Sequence, residues 1–497
     1  MTETVLPGGI QSRGPIPLAH ADSFYIGGQW TRPTTDSQIP IVDPTTEEVF
    51  YSVPEAQPAD MSAAIEAARL AFDEGPWPTL SPTERAGYVR AIADALRQRA
   101  DDAALLWPRE SGVTYASARG GVQYVPTVWD VNAELAETFQ FERDVDLTIG
   151  ANYSGTLVRE PVGVVGAILA WNDPLLMIGM KVAPALVAGC TVVVKAAPEA
   201  PGGAYLMAEI MESVGLPPGV FNIITAGREV SELLVTNPNV DKITFTGSTA
   251  TGRRIGALCG GRIARFTLEL GGKSAAVILD DADLERTAKT LAARAVFLSG
   301  QVCSSLTRLI VPSHRHNEFL DALSAAMSGV SVGDPFEPSV QLGPLVAERQ
   351  LRRVLGYIEK GKSEGAILAT GGGRPGHLSR GWFIEPTVFG NVDNASTIAR
   401  EEIFGPVLSV IPAQDESEAI RIANDTTYGL NASVFTQDGD RARAIARRLR
   451  SGTVGQNDQH GDVGVAFGGF KQSGIGREGG EEGLRNYLET KLVILDR

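Results

Sequence analysis

The sequence predicts an α/β protein made of two doubly wound domains. From residue 162 onward, short apolar runs rich in valine, isoleucine and threonine alternate with helix-forming segments, which is typical of a parallel sheet with helices on both faces. A second series of the same kind begins near residue 272. The chain of 497 residues is also too long for one ordinary hydrophobic core, which indicates two or three domains.

The chain begins with strands and continues with helices. The segments SFYIGGQW and IPIVDPTTEEVFYSV are typical of hairpins with turn residues between their strands. An apolar face that runs from Met61 to Phe72 predicts a helix, and a capping box of Ser81 and Glu84, with Pro82 in the first turn, predicts the start of the next. We expect both helices to lie at the surface and to pack on a sheet.

Two series of strands follow, each with helices between the strands. The first series predicts the strands VGVVGAILAW, TVVVKA, FNIIT and DKITFTG, and the second predicts SAAVILD, RLIVPS, LSVIPA and ASVFT. Residues 141–161 fit neither series, because their polar and apolar alternation around Asn152 to Gly155 is typical of a protruding hairpin. The exposed edge of such a hairpin usually pairs with a partner.

The composition is that of a folded protein that handles small molecules. It is 43% hydrophobic and 21% charged, and the formal net charge of −15 gives no overall field that favours nucleic acid or an anionic membrane. No apolar run approaches the about 20 residues that a membrane helix needs, and the first residues lack the pattern of a secretion signal. The three cysteines are widely spaced and odd in number, which favours neither a disulfide framework nor a metal site. We therefore expect a cytoplasmic protein without nucleic-acid, membrane or metal partners.

A glycine-containing turn is the first motif that could carry chemistry. A strand that ends at Gly247 leads through Ser248 into a helix with Gly252 in its first turn. Glycines at such a turn allow backbone N–H groups to approach a phosphate, and the helix N-terminus favours its negative charge. The pattern matches neither the dinucleotide fingerprint nor the P-loop, so an ordinary strand-to-helix turn remains an alternative.

Three side chains farther along could act on a substrate. Glu269 ends an apolar strand, where a carboxylate tends to have a raised pKa that suits a general base, unless a salt bridge holds it. Asn172 follows another strand and could donate to an oxyanion or cap the next helix. Cys303, in SGQVCSSLTR, is either a nucleophile or a small buried side chain. Cys190 and Cys259 lie in apolar surroundings and are interpreted as buried.

Seven motifs together resemble the aldehyde dehydrogenase superfamily, and they occur in the order AWNDPLLM, TVVVKA, FTGSTATG, LELGGKS, GQVCSS, EEIFGPV and FGGFKQSGIGREGG. The similarity extends from YIGGQW to NYLETK, nearly the whole chain. The resemblance implies a Rossmann-like cofactor domain over residues 1–140 and 161–271 and a catalytic domain over 272–470. It also implies a bridging element over 141–160 and 485–497 that joins subunits into a homo-dimer or homo-tetramer.

The resemblance implies a specific reaction. Cys303 would be the nucleophile, Glu269 the base for the hydrolytic water, and Asn172 with the Cys303 backbone N–H the oxyanion hole. An aldehyde would be oxidised to a carboxylic acid by NAD(P) through a thiohemiacetal and a thioester. Relatives that pass the acyl group to coenzyme A typically lack this glutamate. A coenzyme A-acylating semialdehyde dehydrogenase and a catalytically idle binding or structural relative are the alternatives.

The resemblance also implies a dinucleotide site. It assigns Lys195 to the adenosine ribose, the turn at Gly247 to the pyrophosphate and Glu402 to the nicotinamide ribose. The expected cofactor residues are Trp171, Lys195, Glu199, Gly247, Ser248, Gly252, Leu270, Gly271, Glu402 and Phe404. Many NAD-preferring relatives carry a glutamate three places after the lysine, where this chain has Pro198 and places Glu199 one residue later. The charge of Glu199 favours NAD, with NADP as the alternative.

The acyl pocket departs from the family's usual pattern. Its expected residues are Asp173, Met177, Met180, Val302, Ser304 and Asn457, the last from the polar loop QNDQHGD. Asp173 and Met180 stand where relatives often carry an aromatic side chain. Asp173 could bind a polar or cationic aldehyde, or it could cap the following helix.

Overall fold

The structure, a computed structural model, describes residues 5–6, 10–11, 13–149 and 152–497. Its strands are β1 (Val5–Leu6), β2 (Ile10–Gln11), β3 (Phe24–Ile26), β4 (Gln29–Thr31), β5 (Gln38–Asp43), β6 (Glu48–Pro54), β7 (Glu142–Val145), β8 (Tyr153–Pro161), β9 (Val164–Ile168), β10 (Thr191–Ala196), β11 (Phe221–Thr225), β12 (Lys242–Thr246), β13 (Arg265–Glu269), β14 (Ser274–Ile278), β15 (Leu306–Pro312), β16 (Ile367–Thr370), β17 (Thr387–Gly390), β18 (Val407–Ala413), β19 (Asn431–Phe435), β20 (Thr453–Gln456), β21 (Gly474–Ile475) and β22 (Leu488–Asp496). Its helices are α1 (Pro58–Asp73), α2 (Pro82–Gln98), α3 (Ala100–Ser111), α4 (Tyr115–Thr138), α5 (Pro174–Ala188), α6 (Gly202–Ser213), α7 (Arg228–Thr236), α8 (Thr249–Gly261), α9 (Leu284–Val296), α10 (His316–Ser328), α11 (Glu348–Ser363), α12 (Thr397–Arg400), α13 (Glu416–Asn424), α14 (Gly439–Ala446) and α15 (Gly480–Arg485). Within the described residues, every helix is too short or too polar to span a bilayer.

The first large sheet has the strand order β21-β13-β12-β9-β10-β11-β3-β4. Strands β13, β12, β9, β10 and β11 are parallel, and β21 and β3 join them antiparallel at the two ends. Successive residues of β10 face opposite sides of the sheet, as strand geometry requires. Val192 and Val194 pack in the core that holds α5 and α6, whereas Val193 packs with Met61 and Ile65 of α1. Because both faces are covered, the strand is apolar throughout.

The second large sheet has the order β16-β17-β18-β15-β14-β19-β20. Its strands are parallel except β16, which pairs antiparallel with β17 at one edge. In β14, Ala275 and Val277 pack on one side and Ala276 and Ile278 on the other. The chain passes from the first sheet to the second through the short link between β13 and β14. The expected architecture of two doubly wound α/β units is confirmed.

A third sheet lies apart from these two and has the order β22-β8-β7, all antiparallel. The antiparallel hairpin of β7 and β8 is confirmed, but its predicted turn is misplaced. Strand β8 begins at Tyr153, so the connection covers residues 146–152, of which 150 and 151 lie outside the described residues. Tyr153 and Ser154 belong to the strand because they pair with β22, a contact that no local pattern could reveal.

The two N-terminal helices form as predicted, with the capping box of Ser81 and Glu84 in place. Helix α1 lies against β10 and β11. The prediction that α2 packs on a sheet is wrong, because α2 packs against α4, α5 and α6. Helices α5 and α6 already cover that face of the first sheet, so the apolar side of α2 is buried by helices instead.

Candidate active site

The predicted nucleophile, Cys303, lies on the short loop between α9 and β15. Shortly before it in the chain, Leu298, Ser299 and Gly300 have φ angles of 48°, 58° and 72°. This left-handed conformation is unfavourable for the two residues that carry a side chain. A side chain at Gly300 would collide with the backbone of the loop before β18, and one at Gly272 would collide with the Cys303 carbonyl. The turn therefore places Cys303 in contact with the link between β13 and β14, which joins the two sheets.

Cys303 as a whole residue is partly exposed, whereas the other two cysteines are buried, as expected. Burial within its recess, together with the Glu402 and Glu269 carboxylates, raises the pKa of the Cys303 thiol to about 12. The backbone N–H groups of Ser304 and Cys303 act in the opposite direction and lower this pKa. The thiol is therefore neutral at pH 7 in this form, and it needs added positive charge or a proton acceptor before it can attack carbon.

Glu269, the expected base, is the last residue of β13 and pairs with Thr246 on one side and Gly474 on the other. It is 4% exposed, and neither carboxyl oxygen has a hydrogen-bond partner among the described residues. A Cβ at Gly468 would lie 2.6 Å from Oε1, so glycine leaves room for the carboxyl. Desolvation, and after it the charge of Glu478, raises the pKa of Glu269 well above its ordinary value. The salt-bridge alternative does not occur within the described part of the chain.

Two charged residues near Glu269 were not expected from the sequence. Lys181 of α5 is fully buried and forms an ion pair with Glu478, which also accepts a hydrogen bond from the Thr244 hydroxyl (3.4 Å). Lys181 lowers the pKa of Glu269 and Glu478 raises it. The sequence signal that could have indicated this pair is a lysine inside an otherwise apolar helix. It could not identify the partner, because Glu478 lies 297 residues away.

Asn172, the expected oxyanion donor, lies where β9 leads into α5. Its Nδ2 donates to the carbonyl oxygen of Gln301 (2.9 Å), two residues before Cys303. Its own carbonyl oxygen accepts from Nε1 of Trp107 (3.0 Å). These bonds hold the amide beside the nucleophile loop and leave one Nδ2 hydrogen available. The alternative role of helix cap falls to Asp173 instead.

Lys195 and Glu199 lie at the carboxyl end of β10. Lys195 is buried, and desolvation lowers its pKa to about 8 against the opposing charge of Glu199. The Glu199 carboxylate forms an ion pair with Arg349, whose side chain is 56% exposed at the start of α11. An arginine from the second α/β unit, which the sequence did not single out, thus reaches the expected adenosine end of the site.

The turn from β12 to α8 holds three of the expected cofactor residues. Ser248 caps α8 by accepting a hydrogen bond from a backbone N–H in its first turn. The backbone N–H of Gly247 donates to the carbonyl oxygen of Glu269 (3.0 Å). A Cβ at Gly252 would lie 2.5 Å from Cδ2 of Leu270, so close packing of α8 requires glycine there. The exposed part of this turn that could face a phosphate is therefore Ser248 and the helix N-terminus.

Glu402 and Phe404 lie in the loop between α12 and β18. The backbone N–H of Gly272 donates to Oε1 of Glu402 (3.2 Å), and a side chain at Gly271 would collide with the same carboxyl. Burial raises the pKa of Glu402 to about 7. The Phe404 ring meets Trp171 edge-on, with centroids 5.3 Å apart. Expected cofactor residues from both α/β units therefore meet in one cleft.

Four of the expected substrate-pocket residues lie on the start of α5 and its flank. Asp173 caps α5, where its Oδ1 accepts from the backbone N–H of Leu176 (3.4 Å), and burial raises its pKa to about 7. Met177 and Val302 are partly buried against the first core, and Met180 is buried in it. This part of the recess is therefore largely apolar.

The polar loop after β20 reaches the nucleophile, but not through the residue that was expected. Nε2 of Gln459 donates to the hydroxyl of Ser304 (2.9 Å), next to Cys303. Asn457 was expected in the pocket, but the structure shows its amide turned to Thr436, which it bonds twice through the backbone (2.9 Å each). Its φ of 59° turns the loop, and this explains an asparagine at that position.

The arrangement brings together a thiol, an amide donor and a carboxyl that has no hydrogen-bond partner in the described part of the chain, where the two α/β units meet. Such a set can add a nucleophile to a carbonyl, stabilise the oxyanion and activate water. Within residues 13–149 and 152–497, no cluster of histidine, cysteine and carboxylate side chains could hold a metal ion. The chemistry that the site supports is acyl transfer through sulfur.

Comparison with known proteins gives a consistent result. The chain is 43% identical to the geranial dehydrogenase of Castellaniella defragrans over 95% of this chain and 98% of that one. It is 40% identical to the chloroplastic betaine aldehyde dehydrogenase of Amaranthus hypochondriacus over 95% and 96%. Its structure is similar to that of a Mycobacterium tuberculosis aldehyde dehydrogenase complexed with NAD+, with a TM-score of 0.93 and 44% identity over 95% and 98% of the two chains.

A second solved structure is similar over 99% of this chain and 98% of the other, with a TM-score of 0.92 and 38% identity. It is a cysteine-to-alanine variant of aldehyde dehydrogenase C from Pseudomonas syringae, with NAD+ and octanal. The sequence pattern of the aldehyde dehydrogenase family matches residues 30–493. The chain therefore belongs to the aldehyde dehydrogenase family, whose enzymes oxidise aldehydes to carboxylic acids.

Proposed function

We propose that the chain oxidises an uncharged aliphatic aldehyde with NAD+, using Cys303 as nucleophile, Glu269 as general base and Asn172 as oxyanion donor. The observation that carries this proposal is the state of the Glu269 carboxyl. It is buried, it has no hydrogen-bond partner among the described residues, and it is close enough to Cys303 to raise the pKa of the thiol. A carboxyl in these surroundings suits the acceptance of a proton from water near neutral pH.

The first step joins the Cys303 sulfur to the aldehyde carbon. The thiol gives its proton to solvent water, the sulfur electron pair forms the S–C bond, and the carbonyl π electrons move to oxygen. The free Nδ2 hydrogen of Asn172 and the Cys303 backbone N–H donate to that oxyanion. Donors fixed before the reaction stabilise such a charge at little reorganisation cost.

The second half of the reaction passes through a thioester. Re-formation of the carbonyl bond expels a hydride from the carbon, and oxidised nicotinamide, held by the residues assigned below, would supply the two-electron acceptor for it. Glu269 then accepts a proton from water, the water oxygen attacks the thioester carbon, and the C–S bond breaks. The acid is released and Cys303 is restored as a thiolate.

We also propose where a dinucleotide binds. We assign the adenosine ribose to Lys195, the pyrophosphate to Ser248 and the N-terminus of α8, and the nicotinamide ribose to Glu402, with Trp171 and Phe404 beside it. Glycine at 271 supports this assignment, because a side chain there would displace the Glu402 carboxyl. The structures of two relatives that hold NAD+ support it as well.

The charge pair at the adenosine end is relevant to cofactor choice. Glu199 would repel a 2′-phosphate, which favours NAD, but its ion pair with Arg349 offsets part of that charge. Arg349 could itself contact a phosphate there. We therefore propose a preference for NAD together with measurable use of NADP.

The acyl recess supports an uncharged substrate. Met177, Met180 and Val302 supply apolar surface, and Asp173 is committed to capping α5. The relatives named for geranial and for betaine aldehyde, and the neighbour that holds octanal, span apolar and cationic aldehydes. Octanal and betaine aldehyde are therefore the informative pair to compare.

We also propose how the chain is organised and assembled. Residues 1–140 and 161–271 form the cofactor domain, 272–470 the catalytic domain, and 141–160 with 485–497 the bridging element. Strand β22 exposes Leu492, Ile494 and Leu495 at an edge with which no other described strand pairs, and this supports a homo-dimer or homo-tetramer. The free thiols support a reducing cytoplasm. Light scattering that gives a monomer at micromolar concentration would contradict the assembly.

The test is an assay of the purified protein with NAD+ or NADP+ and a panel that includes octanal and betaine aldehyde. We expect NADH and carboxylic acid in equal amounts with octanal, without added coenzyme A. The Cys303→Ala variant should form neither product, while Cys259→Ala, which alters another thiol, should remain active. Absence of NADH across the panel would overturn the proposal, and product that required coenzyme A would favour the acylating alternative.

A further inference from the structure

Two side chains just before Cys303 tie the nucleophile loop to distant segments of the chain. The Ser299 hydroxyl lies within hydrogen-bond distance of the carbonyl oxygens of Gly112 (3.3 Å) and Gly343 (3.2 Å). Gln301 is fully buried, and its side-chain amide is bonded at both ends. Since the loop adopts an unfavourable left-handed turn, bonds of this kind are needed to hold it.

The Gln301 amide connects both α/β units. Its Nε2 donates to the carbonyl oxygen of Ser111 (3.4 Å), at the end of α3, and to that of Leu298 (3.4 Å). Its Oε1 accepts from the backbone N–H of Val346 (3.0 Å), in the segment that leads into α11. Helix α3 packs in the core of the first unit, while Leu345 packs in the core of the second. One side chain therefore fixes the loop against both.

The same connection continues to Asn172. The Ser111 hydroxyl donates to the carbonyl oxygen of Trp171 (2.9 Å), so Ser111 holds the residue before Asn172 and the Gln301 amide at once. The Gln301 carbonyl oxygen accepts from Nδ2 of Asn172 (2.9 Å). A displaced Gln301 would therefore turn the Asn172 amide, while the Ser299 hydroxyl still ties the nucleophile loop to Gly112 and Gly343.

We propose that Gln301 is a positioning residue that orients the Asn172 amide toward the carbonyl oxygen of a substrate bound at Cys303. This inference rests on the proposed function. Gln301 itself is too deeply buried to touch the aldehyde, and it acts through its carbonyl oxygen and the bonds that hold it. Its effect is on the oxyanion, and the thiol does not depend on it.

A double-mutant cycle tests the inference. Asn172→Ala should lower kcat by about 10²- to 10³-fold, the typical cost of one oxyanion donor. Gln301→Ala should lower kcat by about 10- to 100-fold with little change in the KM for NAD+. The double variant should be within about twofold of Asn172→Ala, because Asn172 is already gone, whereas independent effects would multiply.

A second measurement separates positioning from general damage. Alkylation of Cys303 by iodoacetamide forms no oxyanion, so Gln301→Ala should react within about threefold of the native rate. If the alanine variant is unstable, Gln301→Glu keeps the acceptor for Val346 and loses the donors to Ser111 and Leu298. In Gln301→Glu too, turnover should fall while the rate of alkylation stays close to that of the native enzyme.

Asn222 offers a matched control. It is fully buried, its Nδ2 donates to the carbonyl oxygens of Val192 (3.2 Å) and Gly219 (2.8 Å), and its Oδ1 accepts from the N–H of Gly27 (2.9 Å). Asn222→Asp should lower the Tm as Gln301→Glu does. Its turnover, however, should not fall relative to its rate of alkylation. Multiplicative effects in the cycle, or an equal loss of alkylation and turnover, would overturn the inference. An inactive native protein would instead point to failure of the proposed function.

Discussion

The two ends of the proposed cofactor cleft are built differently. At the inner end, Cys303, Glu269 and Glu402 lie in surroundings where burial is the largest cause of each raised pKa. At the outer end, Glu199 pairs with Arg349, which is 56% exposed, so water screens their interaction. Substitutions that remove a charge or an ion-pair partner should therefore change activity or stability strongly at the inner end and weakly at the outer end.

The largest effect should come from the base. Glu269→Gln keeps the shape of the side chain and removes its proton acceptor, so the thioester should form and then persist. We expect steady-state turnover to fall by about 10²- to 10⁴-fold, with one equivalent of NADH still released per site in a rapid burst. Stopped-flow absorbance at 340 nm measures both phases, and loss of the burst together with turnover would contradict the role of Glu269 as the hydrolytic base.

The second-largest effect should come from the buried ion pair of Lys181 and Glu478, next to Glu269. Lys181→Met leaves the Glu478 carboxylate buried without its partner, which typically costs about 3–5 kcal/mol of stability. Lys181 also lowers the pKa of Glu269, so its loss should raise that pKa further and move the acid limb of the pH–rate profile to higher pH. Calorimetry measures the loss of stability, and the pH–rate profile measures the change in the pKa of Glu269.

Its control is a second substitution. Adding Glu478→Gln to Lys181→Met should recover stability, because no uncompensated charge then remains buried. A profile that does not move in Lys181→Met would show that this lysine does not act on the base.

A smaller effect is expected at Glu402, whose charge raises the pKa of the Cys303 thiol. Glu402→Gln should lower that pKa from about 12, because a negative neighbour is removed, and it should raise the thiolate fraction at pH 8. Iodoacetamide should then inactivate the free enzyme up to about tenfold faster, even though the KM for NAD+ rises. Glu401→Gln, one residue earlier and exposed, is the matched control and should leave the rate unchanged. Slower alkylation in Glu402→Gln would contradict the sign of this interaction.

The part of the molecule that the sequence predicts is the part set by neighbouring residues. The strands of both α/β units follow from apolar runs, whereas local motifs only made Cys303, Glu269 and Asn172 candidates, and their proposed roles come from the family resemblance. The sequence does not predict the ion pairs, because their two residues lie far apart in the chain. Lys181 and Glu478 are 297 residues apart, and Arg349 and Glu199 are 150 apart.

Two features that the sequence could not specify have the same physical origin. The packing of α2 depends on whether α5 and α6 already occupy the sheet, which its own apolar face cannot specify. In the polar loop, the sequence could not show that Asn457 bonds Thr436 while Gln459 reaches Ser304, because both side chains are amides of similar chemistry. Local patterns predict that a side chain is polar, and tertiary contacts decide where its hydrogen bonds go.

The smallest effect should occur at the outer end, and it tests whether the exposed pair sets cofactor choice. Arg349→Ala removes a positive charge that could meet a 2′-phosphate and leaves Glu199 free to repel it. The ratio of kcat/KM for NAD+ over NADP+ should rise by up to about fivefold, the range that an exposed ion pair allows. Glu199→Gln should lower the ratio by a similar factor. Arg352→Ala, which breaks an exposed ion pair with Glu348 on the same helix, should leave it unchanged. A change of about 100-fold or more would mean that this pair is desolvated when the cofactor binds, and the contrast between the two ends would then fail.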